Sequence, residues 1–374
     1  MPILYDPDLD IVSSGSDVIV NTVNCVGVMG AGVAKSVAQA WPSVLPSYVE
    51  ACRSKRLRPG LLHVHRVPDG PIIVNMATKD HWRQPSSPDW VGSGLFFLSL
   101  LLQRQMDRHP GSIRSVTIPP PGCGHGGLSW SQVHPMMRAC LSPLPDLGVR
   151  ITVTADQPDP VQRPMIYTGI GSRKAPDPVL RIMRSIGAAL SESGYLLRSG
   201  GALGSDSAFE EGAISAGGST EIFLASPKKD TLGQGAQVRS GIHEVSPMFD
   251  RITQHLHPAP IALTAYGRRL MNRNGAQVFG SSFDIPIDIM VCWTPGGSGS
   301  GGTGQAIRIA KVVGIPVLDL GAPEFSGMSV DRLLEVIRDR AMIRRSEVMP
   351  MMSEVGARAP GSGRETQDNG VVAP

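Results

Sequence analysis

Two glycine-rich segments carry most of the chemistry that the first half of the sequence offers. They span residues 21–35, which begin with Asn21, and residues 119–128, and each follows a run of strand-forming residues. Glycine lets backbone amides approach an anion closely, and amides at the start of a helix favour negative charge. The two segments therefore predict a cradle for phosphate groups. Neither matches G-x-G-x-x-G followed by a ribose-binding acid, which argues against a nicotinamide-dependent dehydrogenase.

A polar cluster lies between these segments, from Asn75 to Arg83, directly after the apolar run 72–74. Its lysine, Lys79, could attack a carbon atom, transfer a proton or neutralise a phosphate. The sequence alone leaves these roles open, together with the alternative of a solvated loop. Trp82 weakens that alternative, because a tryptophan in a loop normally packs against another part of the protein.

Three segments rich in Gly, Ser and Thr occur in the second half, at 167–173, 197–208 and 294–305. Each follows a predicted strand and precedes a predicted helix, so all three are expected to meet at one crevice. This arrangement predicts a second phosphate site, to which Arg173 and Arg198 would add charge-assisted contacts. The alternative is a set of ordinary strand-to-helix turns.

The elements that must position these segments alternate between strand and helix in both halves. This alternation predicts parallel sheets with helices on both faces, where ligands bind beyond the carboxyl ends of the strands. The predicted strands are 17–23, 71–75, 115–118, 149–154, 166–168, 195–198, 221–225, 288–293 and 316–319. The predicted helices are 32–40, 95–107, 130–141, 177–193, 205–216, 263–279, 303–313 and 330–345.

The chain has 374 residues, which predicts two or three domains. Three prolines within 156–164 indicate a linker between two halves. Both halves alternate strands and helices, but the sequence shows no internal repeat. A segment without periodicity follows the last predicted helix and is typical of a disordered tail. The expected division is 1–156, the linker 157–164, 165–322, the helix 323–345 and the tail 346–374.

Composition narrows the possible functions. The net charge of +3 is too small to indicate a nucleic-acid coat, and an aromatic content of 5% argues against extended base-stacking surfaces. Five cysteines without a C-x-x-C pair predict neither disulfides nor a metal site, and indicate a reducing cytoplasm. The N-terminus lacks a signal-peptide pattern, and the most apolar run, 95–102, is too short for a membrane span. We expect no cofactor and no membrane partner.

The motifs of the first half resemble the macrodomain of the DarG antitoxin family, which removes ADP-ribose from DNA bases. The resemblance covers about residues 8–142 and rests on three segments in order: VNTVNCVGVMG, then N-x-x-T-K-x-H-W-R, then P-x-G-C-G-x-G-G-L-x-W. It implies a macrodomain fold, with Lys79 as the catalytic lysine and Asn21 orienting the distal ribose. The ADP-ribose contacts that it implies are Asn24, Gly27, Val28, Met29, Gly30, Gly32, Thr78, Gly122, Cys123, Gly124, His125 and Gly126.

This sequence departs from the family's usual pattern at two positions. Ala31 stands where a lysine is common, and His125 stands where an apolar residue is usual. Gly126 lies where the related terminal ADP-ribose glycohydrolases of eukaryotes have a catalytic aspartate. The DarG branch also has glycine there, so the resemblance implies a DarG-like reaction.

The second half resembles the SLOG superfamily, which includes the DNA-processing protein A domain and the LOG phosphoribohydrolases. The resemblance covers about 165–320 and implies a Rossmann-like, doubly wound domain that binds a nucleotide. The residues that would line its site are Gly169, Gly171, Ser172, Arg173, Arg198, Ser199, Gly200, Gly201, Gly204, Ser205, Asp206, Thr294, Gly302 and Thr303. LOG enzymes use a glutamate three residues after the threonine, where this chain has Ala306. Phosphoribohydrolase activity is therefore not expected, and Glu210 and Glu211 are interpreted as a solvated helix face.

Two functional hypotheses follow. In the first, the macrodomain hydrolyses an ADP-ribosyl linkage on DNA or another acceptor, and the second domain binds a related nucleotide. In the second, the protein sequesters or degrades a cyclic ADP-ribose-type signal, as a phage-encoded counter-defence protein in a bacterial cytoplasm. DNA is expected only as a modified substrate. A homo-oligomer is implied by resemblance alone.

Overall fold

Each half of the chain is built around one six-stranded sheet. The computed structural model describes residues 3–159, 162–225, 237–241, 246–283 and 285–348. The strand orders are β1-β6-β5-β2-β4-β3 in the first sheet and β10-β9-β8-β7-β11-β12 in the second. All neighbouring strands are parallel except β3 and β4. The predicted class, a mixed macrodomain-like sheet followed by a parallel Rossmann-like sheet, is confirmed.

The first sheet and its helices occupy residues 4–153. Its strands are β1 (Leu4–Tyr5), β2 (Val18–Val23), β3 (Leu62–Arg66), β4 (Ile72–Ala77), β5 (Ser115–Ile118) and β6 (Arg150–Val153). Its helices are α1 (Gly32–Ala40), α2 (Val44–Arg53), α3 (Pro88–Arg108) and α4 (Trp130–Leu141).

The second sheet begins after the proline-rich segment. Its strands are β7 (Ile166–Gly171), β8 (Leu196–Ser199), β9 (Thr220–Leu224), β10 (Gln237–Gly241), β11 (Ile289–Trp293) and β12 (Val317–Asp319). Its helices are α5 (Asp177–Glu192), α6 (Ser205–Ser215), α7 (Met248–Leu256), α8 (Ala265–Phe279), α9 (Thr303–Val312) and α10 (Val330–Val348).

Every predicted strand and helix is present, but the sequence patterns missed β1, α2, β3, β10 and α7. Pro46 hid α2 because it interrupts the helical pattern, yet it lies in the first turn, where its missing N–H is not needed. Helix α3 begins at Pro88 rather than at residue 95, since proline is well suited to the first helical position.

Two expectations were wrong. Helix α10 runs to Val348, three residues into the predicted tail, and the rest of that tail lies outside the described residues. Glu210 is fully buried rather than solvated, whereas Glu211 is partly exposed and pairs with Arg184 at 2.5 Å. Helix α6 packs against α5, β7 and β8, so a larger part of its circumference is covered than its charges suggested.

One of the apolar clusters contains residues of both halves, and α3 contributes many of them. Residues 91–100 of this helix are all buried. Phe96 packs edge-on against Phe279 of α8, with ring centroids 6.0 Å apart. A methyl group on Gly92 would lie 2.6 Å from Cβ of Phe283, whereas one on Gly94 would lie 2.7 Å from Met76 of β4. Helix α3 is therefore buried against the first sheet on one side and the second half on the other.

Polar contacts reinforce this junction. The amide of Gln103 on α3 donates to the carbonyl of Val312 at the end of α9, at 2.6 Å. Arg344 on α10 is almost fully buried and donates to the carbonyls of Ala139, at 2.9 Å, and Val313, at 2.6 Å. These side chains satisfy carbonyl groups that the helix geometry leaves free.

The proline-rich segment is anchored on both sides. The indole of Trp130 donates to the carbonyl of Asp156 at 2.8 Å. Arg163 forms a two-pronged ion pair with Asp288 at 2.7 and 2.6 Å, and both side chains are almost fully buried. Residues 160 and 161 lie outside the described part. The ends of the predicted linker are thus fixed to the two halves that it joins.

We expect Gly92→Ala to lower the free energy of unfolding by about 1–3 kcal/mol, because the added methyl group collides with Phe283. The matched control is Gly267→Ala in α8, where the nearest atom to the new Cβ is the Thr264 hydroxyl at 3.2 Å. Denaturant unfolding followed by circular dichroism measures both changes. Equal stabilities for the two variants would contradict the close packing of α3 against the second half.

Candidate functional site

Three loops of the first half meet at one edge of its sheet. Strands β4, β2 and β5 are neighbours and run in parallel, so the loops 78–87, 24–31 and 119–129 leave from the same edge. Backbone hydrogen bonds tie the loops together: Cys25 N–H to Asp80 C=O at 2.9 Å and Ser86 N–H to Gly126 C=O at 2.9 Å. The two glycine-rich segments and the Lys79 cluster therefore lie together at this edge of the sheet.

Two buried amide side chains, on strands from which these loops leave, are joined by hydrogen bonds to each other and to a histidine. Asn21 on β2 lies opposite Asn75 on β4, and its Nδ2 donates to Oδ1 of Asn75 at 2.7 Å. The Asn75 amide in turn lies 3.0 Å from Nδ1 of His63, whose pKa is lowered by burial and which is therefore ready to accept as a neutral ring. Oδ1 of Asn21 is buried and accepts no hydrogen bond from any described residue. A buried oxygen of this kind is stabilised by a ligand donor such as a hydroxyl group.

Lys79 connects two of the loops that line the crevice. It lies two residues after the end of β4, and its Nζ donates to the carbonyl of His125 in the β5 loop. The side chain is half-buried, and burial lowers the pKa of the amine. Lys79 thus spans two loops and loses its proton more readily than an ordinary lysine.

The loop between β2 and α1 is shaped by Asn24. Oδ1 of Asn24 accepts from Val26 N–H at 3.0 Å and Val28 N–H at 3.4 Å, and its Nδ2 donates to Val28 C=O at 2.6 Å. The Asn24 side chain therefore holds the loop in shape, and its expected contact with ADP-ribose stays a prediction. Gly30 and Gly32 are exposed beside it, and no side chain caps the start of α1. Those amides are available to an anion.

The loop after β5 depends on close backbone packing. A methyl group on Gly126 would lie 2.1 Å from the carbonyl oxygen of Gly122, which accepts from Leu128 N–H at 3.0 Å. Gly124, by contrast, has no atom within 4 Å of the corresponding position. Gly122 and Gly126 therefore build the loop, whereas the surroundings of Gly124 are open.

The remaining predicted residues of this site differ in accessibility. His125 is exposed, and its ring lies 3.7 Å from where a side chain on Gly32 would begin, so the two glycine loops meet there. Thr78 is buried, and its N–H donates to Val23 C=O at 3.0 Å. Burial raises the pKa of Cys123 to about 11, which leaves the thiol protonated and unreactive at neutral pH. Met29 is buried beside Asn21, whereas Val28 is exposed.

A second crevice lies at the carboxyl ends of β8, β7 and β11, which are also neighbours. Asp206 holds its loops together: the carboxylate accepts from Gly171 N–H at 3.2 Å and from Ala202 N–H at 3.3 Å. Ser205 Oγ donates to the carbonyl of Ser172 at 3.0 Å. Burial raises the pKa of Asp206, and the nearby Arg273 opposes that shift. Asp206 is therefore part of the framework of the crevice.

The arginines of the second crevice are arranged differently from the sequence prediction. The buried guanidinium of Arg198 pairs with Glu221 at 2.6 Å and donates to the carbonyl of Ile285. Arg173 is exposed, and its phosphate contact stays a prediction. Sequence reasoning missed Arg273 of α8, which lies 3.8 Å from Asp206 and donates to Gly200 C=O at 2.8 Å. No sequence pattern pointed to Arg273, because it lies in a helix far along the chain from Asp206.

Other predicted residues of the second crevice shape its loops. Thr294 is bonded through its N–H and hydroxyl to Asp319, and its hydroxyl oxygen also accepts from Gly299 N–H at 2.9 Å. Gly169 lies against Phe209, 2.5 Å from where a methyl group would project, and its carbonyl accepts from Ser199 at 2.6 Å. Asn274 holds the carbonyl of Gly302 at 2.8 Å, next to Thr303 at the start of α9. Gly201 and Gly204 adopt positive φ values of 60° and 89° in the β8 loop.

The described residues show two further features. No three His, Cys, Asp or Glu side chains in the described ranges group as a metal site would require. No helix in this part of the chain is both long and apolar enough to cross a membrane.

Two protein families match separate parts of the chain. Residues 20–137 match the Macro domain family, and residues 158–244 match the DNA recombination-mediator protein A family. The first range contains Asn21, Lys79 and both glycine loops of the first crevice. The second contains the first two glycine-rich loops of the second crevice.

Individual relatives match the first half. A DNA ADP-ribosyl glycohydrolase of Mycobacterium tuberculosis is 36% identical over 145 residues, which are 38% of this chain and 40% of that protein. Another from Thermus aquaticus is 34% identical over 165 residues, 43% of this chain and 42% of that protein. The chain thus matches about two fifths of the length of these curated relatives.

Solved structures give a corresponding result. The macrodomain of Mycobacterium tuberculosis DarG is 32% identical, with 42% of this chain and 100% of that chain covered and a TM-score of 0.38. Thermosipho africanus DarTG in complex with ADP-ribose is 27% identical, with 41% of each chain covered and a TM-score of 0.33.

We expect Gly126→Ala to lower the free energy of unfolding by about 1–3 kcal/mol, because its methyl group would displace the Gly122 carbonyl. Gly124→Ala is the control in the same loop, where the new methyl group meets nothing, and its stability should match that of the wild type. Thermal and denaturant unfolding measure the difference. A loop that tolerates both changes equally would contradict the structural role of Gly126.

The first family match contains the three loops of the first crevice, and the second contains two of the three loops of the second crevice. The chain therefore joins a macrodomain homologous to those of the DNA ADP-ribosyl glycohydrolases to a domain of the DNA recombination-mediator protein A family.

Proposed function

We propose that the macrodomain is an ADP-ribosyl glycohydrolase that removes ADP-ribose from DNA. The observation that carries this proposal is the convergence of Lys79 and the free Oδ1 of Asn21 on one crevice lined by two glycine loops. The names of the relatives supply the substrate class, because those proteins are described as DNA ADP-ribosyl glycohydrolases.

The crevice suits the parts of ADP-ribose. The exposed amides at Gly30, Gly32 and Gly124 would bind the diphosphate, because backbone N–H groups at a helix start and in a glycine loop stabilise negative charge. Oδ1 of Asn21 would accept a hydrogen bond from a hydroxyl of the distal ribose. The chain of amides behind it, through Asn75 to His63, fixes its orientation.

Lys79 is the group placed to act on the bond that breaks. Cleavage at C1″ of the ribose passes through a state with oxocarbenium character, as is usual for glycosidic bonds. A neutral amine could attack C1″ as the bond to the base breaks, after which water would hydrolyse the adduct and release ADP-ribose and the free lysine. The protonated amine could instead donate a proton to the leaving base while water attacks C1″. Burial favours the neutral form, since it lowers the pKa of Lys79. The hydrogen bond to the His125 carbonyl holds the amine at the wall between the two loops.

The second domain is proposed to bind a nucleotide through the exposed backbone and Arg173 of its crevice. Three adjacent strand ends with glycine-rich loops support a phosphate site, and the contacts of Asp206, Thr294 and Arg273 hold those loops in place. The matched relatives favour glycohydrolysis over sequestration of a cyclic nucleotide. A reducing compartment such as a bacterial cytoplasm also remains a proposal, based on five free cysteines.

We expect Lys79→Ala to reduce the rate of ADP-ribose release from ADP-ribosylated DNA by about 100-fold or more, the usual effect of losing a positioned acid, base or nucleophile. Affinity for free ADP-ribose should change far less. Mass spectrometry of the released product and isothermal titration calorimetry measure the two effects. Lys311→Ala, which changes an exposed lysine on α9, is the matched control and should behave as the wild type.

Lys79→Arg separates the roles of this lysine. Arginine keeps the positive charge but provides no neutral amine, so a phosphate contact would survive the change and an attack on C1″ would not. If the neutral amine acts, the wild-type rate should rise with pH and level off at a lower pH than an ordinary lysine would give. Wild-type protein that binds ADP-ribose but releases none from DNA would refute the proposed activity.

A further inference from the structure

An exposed aromatic and basic cluster lies beside the crevice of the macrodomain and takes no part in the chemistry described so far. It consists of His81, Trp82 and Arg83, which follow Lys79 in the loop after β4. Trp82 is 47% exposed, whereas the other four tryptophans of the chain are all less exposed. Trp82 stacks on its neighbours His81 and Arg83, while about half of its surface stays exposed. A half-exposed tryptophan that stacks with a histidine and an arginine beside the Lys79 loop offers a surface on which a flat, anionic group can bind.

The cluster has a defined shape. The guanidinium carbon of Arg83 lies 4.5 Å from the centre of the Trp82 ring, and the His81 ring is stacked at 5.4 Å with an angle of 28° between planes. A turn holds the segment, in which Gln84 N–H donates to His81 C=O at 3.0 Å and Arg83 N–H donates to His81 Nδ1 at 3.2 Å. The three side chains thus form one compact stack, and part of the Trp82 indole stays exposed.

Backbone contacts place this surface at the mouth of the crevice. Asp80, between Lys79 and His81, accepts from Cys25 N–H of the first glycine loop at 2.9 Å. Ser86, just beyond the cluster, donates from its N–H to Gly126 C=O of the second glycine loop at 2.9 Å. The segment that carries the cluster is therefore held against both glycine loops, directly after Lys79.

The charge of the cluster is available to an anion. The Arg83 guanidinium makes no ion pair or hydrogen bond with any other described residue, and it is exposed. An arginine stacked on an indole presents donors along its edge while its plane extends the aromatic surface. A nucleotide offers the matching pair of groups, a flat base and a phosphate.

We propose that His81, Trp82 and Arg83 form a platform for the nucleotide next to the ADP-ribosylated base in a single DNA strand. That base would stack on the exposed part of the Trp82 indole, and Arg83 would contact the adjoining phosphate. The strand must be single, since a base paired within a duplex has no free face for an external ring. This inference rests on the proposed function and adds the residues that read the acceptor outside the ADP-ribose crevice.

The platform is compatible with a composition poor in aromatic residues. An aromatic content of 5% and a net charge of +3 argue against an extended DNA-binding surface. One stacked base and one phosphate contact need a single tryptophan and a single arginine. Such a local contact supplies specificity for the acceptor while the crevice supplies most of the affinity.

The test compares two substrates that carry ADP-ribose through the same bond, a single mononucleoside and a single-stranded oligonucleotide of about ten residues. We expect Trp82→Ala to lower kcat/KM on the oligonucleotide by about tenfold, within the range measured for loss of base stacking on an aromatic ring. The mononucleoside rate and the affinity for free ADP-ribose should be unchanged. Trp82→Phe should retain most of the oligonucleotide activity.

Two matched variants sharpen the result. Tyr266→Ala removes an exposed ring of the second domain that also pairs with an arginine, Arg269 at 5.7 Å, and should leave both substrates unaffected. Arg83→Gln should weaken oligonucleotide binding. It should also reduce the slope of log affinity against log salt concentration by about the amount that one phosphate contact contributes. That affinity is measured by fluorescence anisotropy in the Lys79→Ala background, where turnover does not interfere.

The outcomes separate the platform from the proposed function. Equal losses on both substrates would overturn the platform and make Trp82 a residue that positions Lys79. No loss on either substrate would overturn it as well. A wild type inactive on both substrates would refute the glycohydrolase proposal instead, and anisotropy with the ADP-ribosylated oligonucleotide would then decide the platform alone. Equal dependence on Trp82 with an ADP-ribosylated peptide would contradict a DNA acceptor.

Discussion

The complete burial of residues 91–100 of α3 is the constraint on which the rest of the structure depends. Ten consecutive residues, 91–100, are buried, which is the pattern of a helix enclosed by protein rather than one lying on a surface. Its two glycines allow the approach of Met76 from one sheet and of Phe283 from the other half. The same helix begins at Pro88, only nine residues after Lys79. The far end of the loop that carries Lys79 is therefore fixed by packing contributed from both halves of the chain.

In both crevices, side chains of the loops form hydrogen bonds with the loop backbone, although the residues differ. In the macrodomain Asn24 bonds to its own loop, and in the second domain Asp206 and Thr294 bond to theirs. Each side chain satisfies backbone groups that a tight turn would otherwise leave unpaired, at a cost of about 1–3 kcal/mol for each buried group. The loops are thereby held without help from a ligand, and the exposed amides between them stay open. Residues that look like ligand contacts in a sequence are thus often the ones that build the loop.

The sequence predicted the elements well because buried parallel strands and amphipathic helices leave strong local patterns, and it predicted the crevices because loops at neighbouring strand ends must converge. It could not predict contacts that depend on register between distant segments. Asn75 lies opposite Asn21 only because β2 and β4 pair in one particular register. Arg273 reaches Asp206 from a helix 67 positions further along the chain, and Arg198 turns instead to Glu221 on the neighbouring strand. The stack of Trp82 with His81 and Arg83 was likewise not predicted, because it depends on the turn at 81–84.

The junction between the halves also decides what the proline-rich segment can do. Prolines between two predicted domains suggest a hinge, yet Val312 and Val313 at the end of α9 have their carbonyls bonded to Gln103 of α3 and to Arg344 of α10. Separation of the halves would expose Phe96 and leave the Val312 carbonyl without its Gln103 partner. Both changes would cost free energy, so they oppose a hinge motion. Helix α9 starts at the second crevice, whereas α3 starts beside the first, and the two helices meet at this junction. The two crevices are consequently parts of one packed body, and the prolines restrict the chain between anchored ends rather than allow the halves to swing.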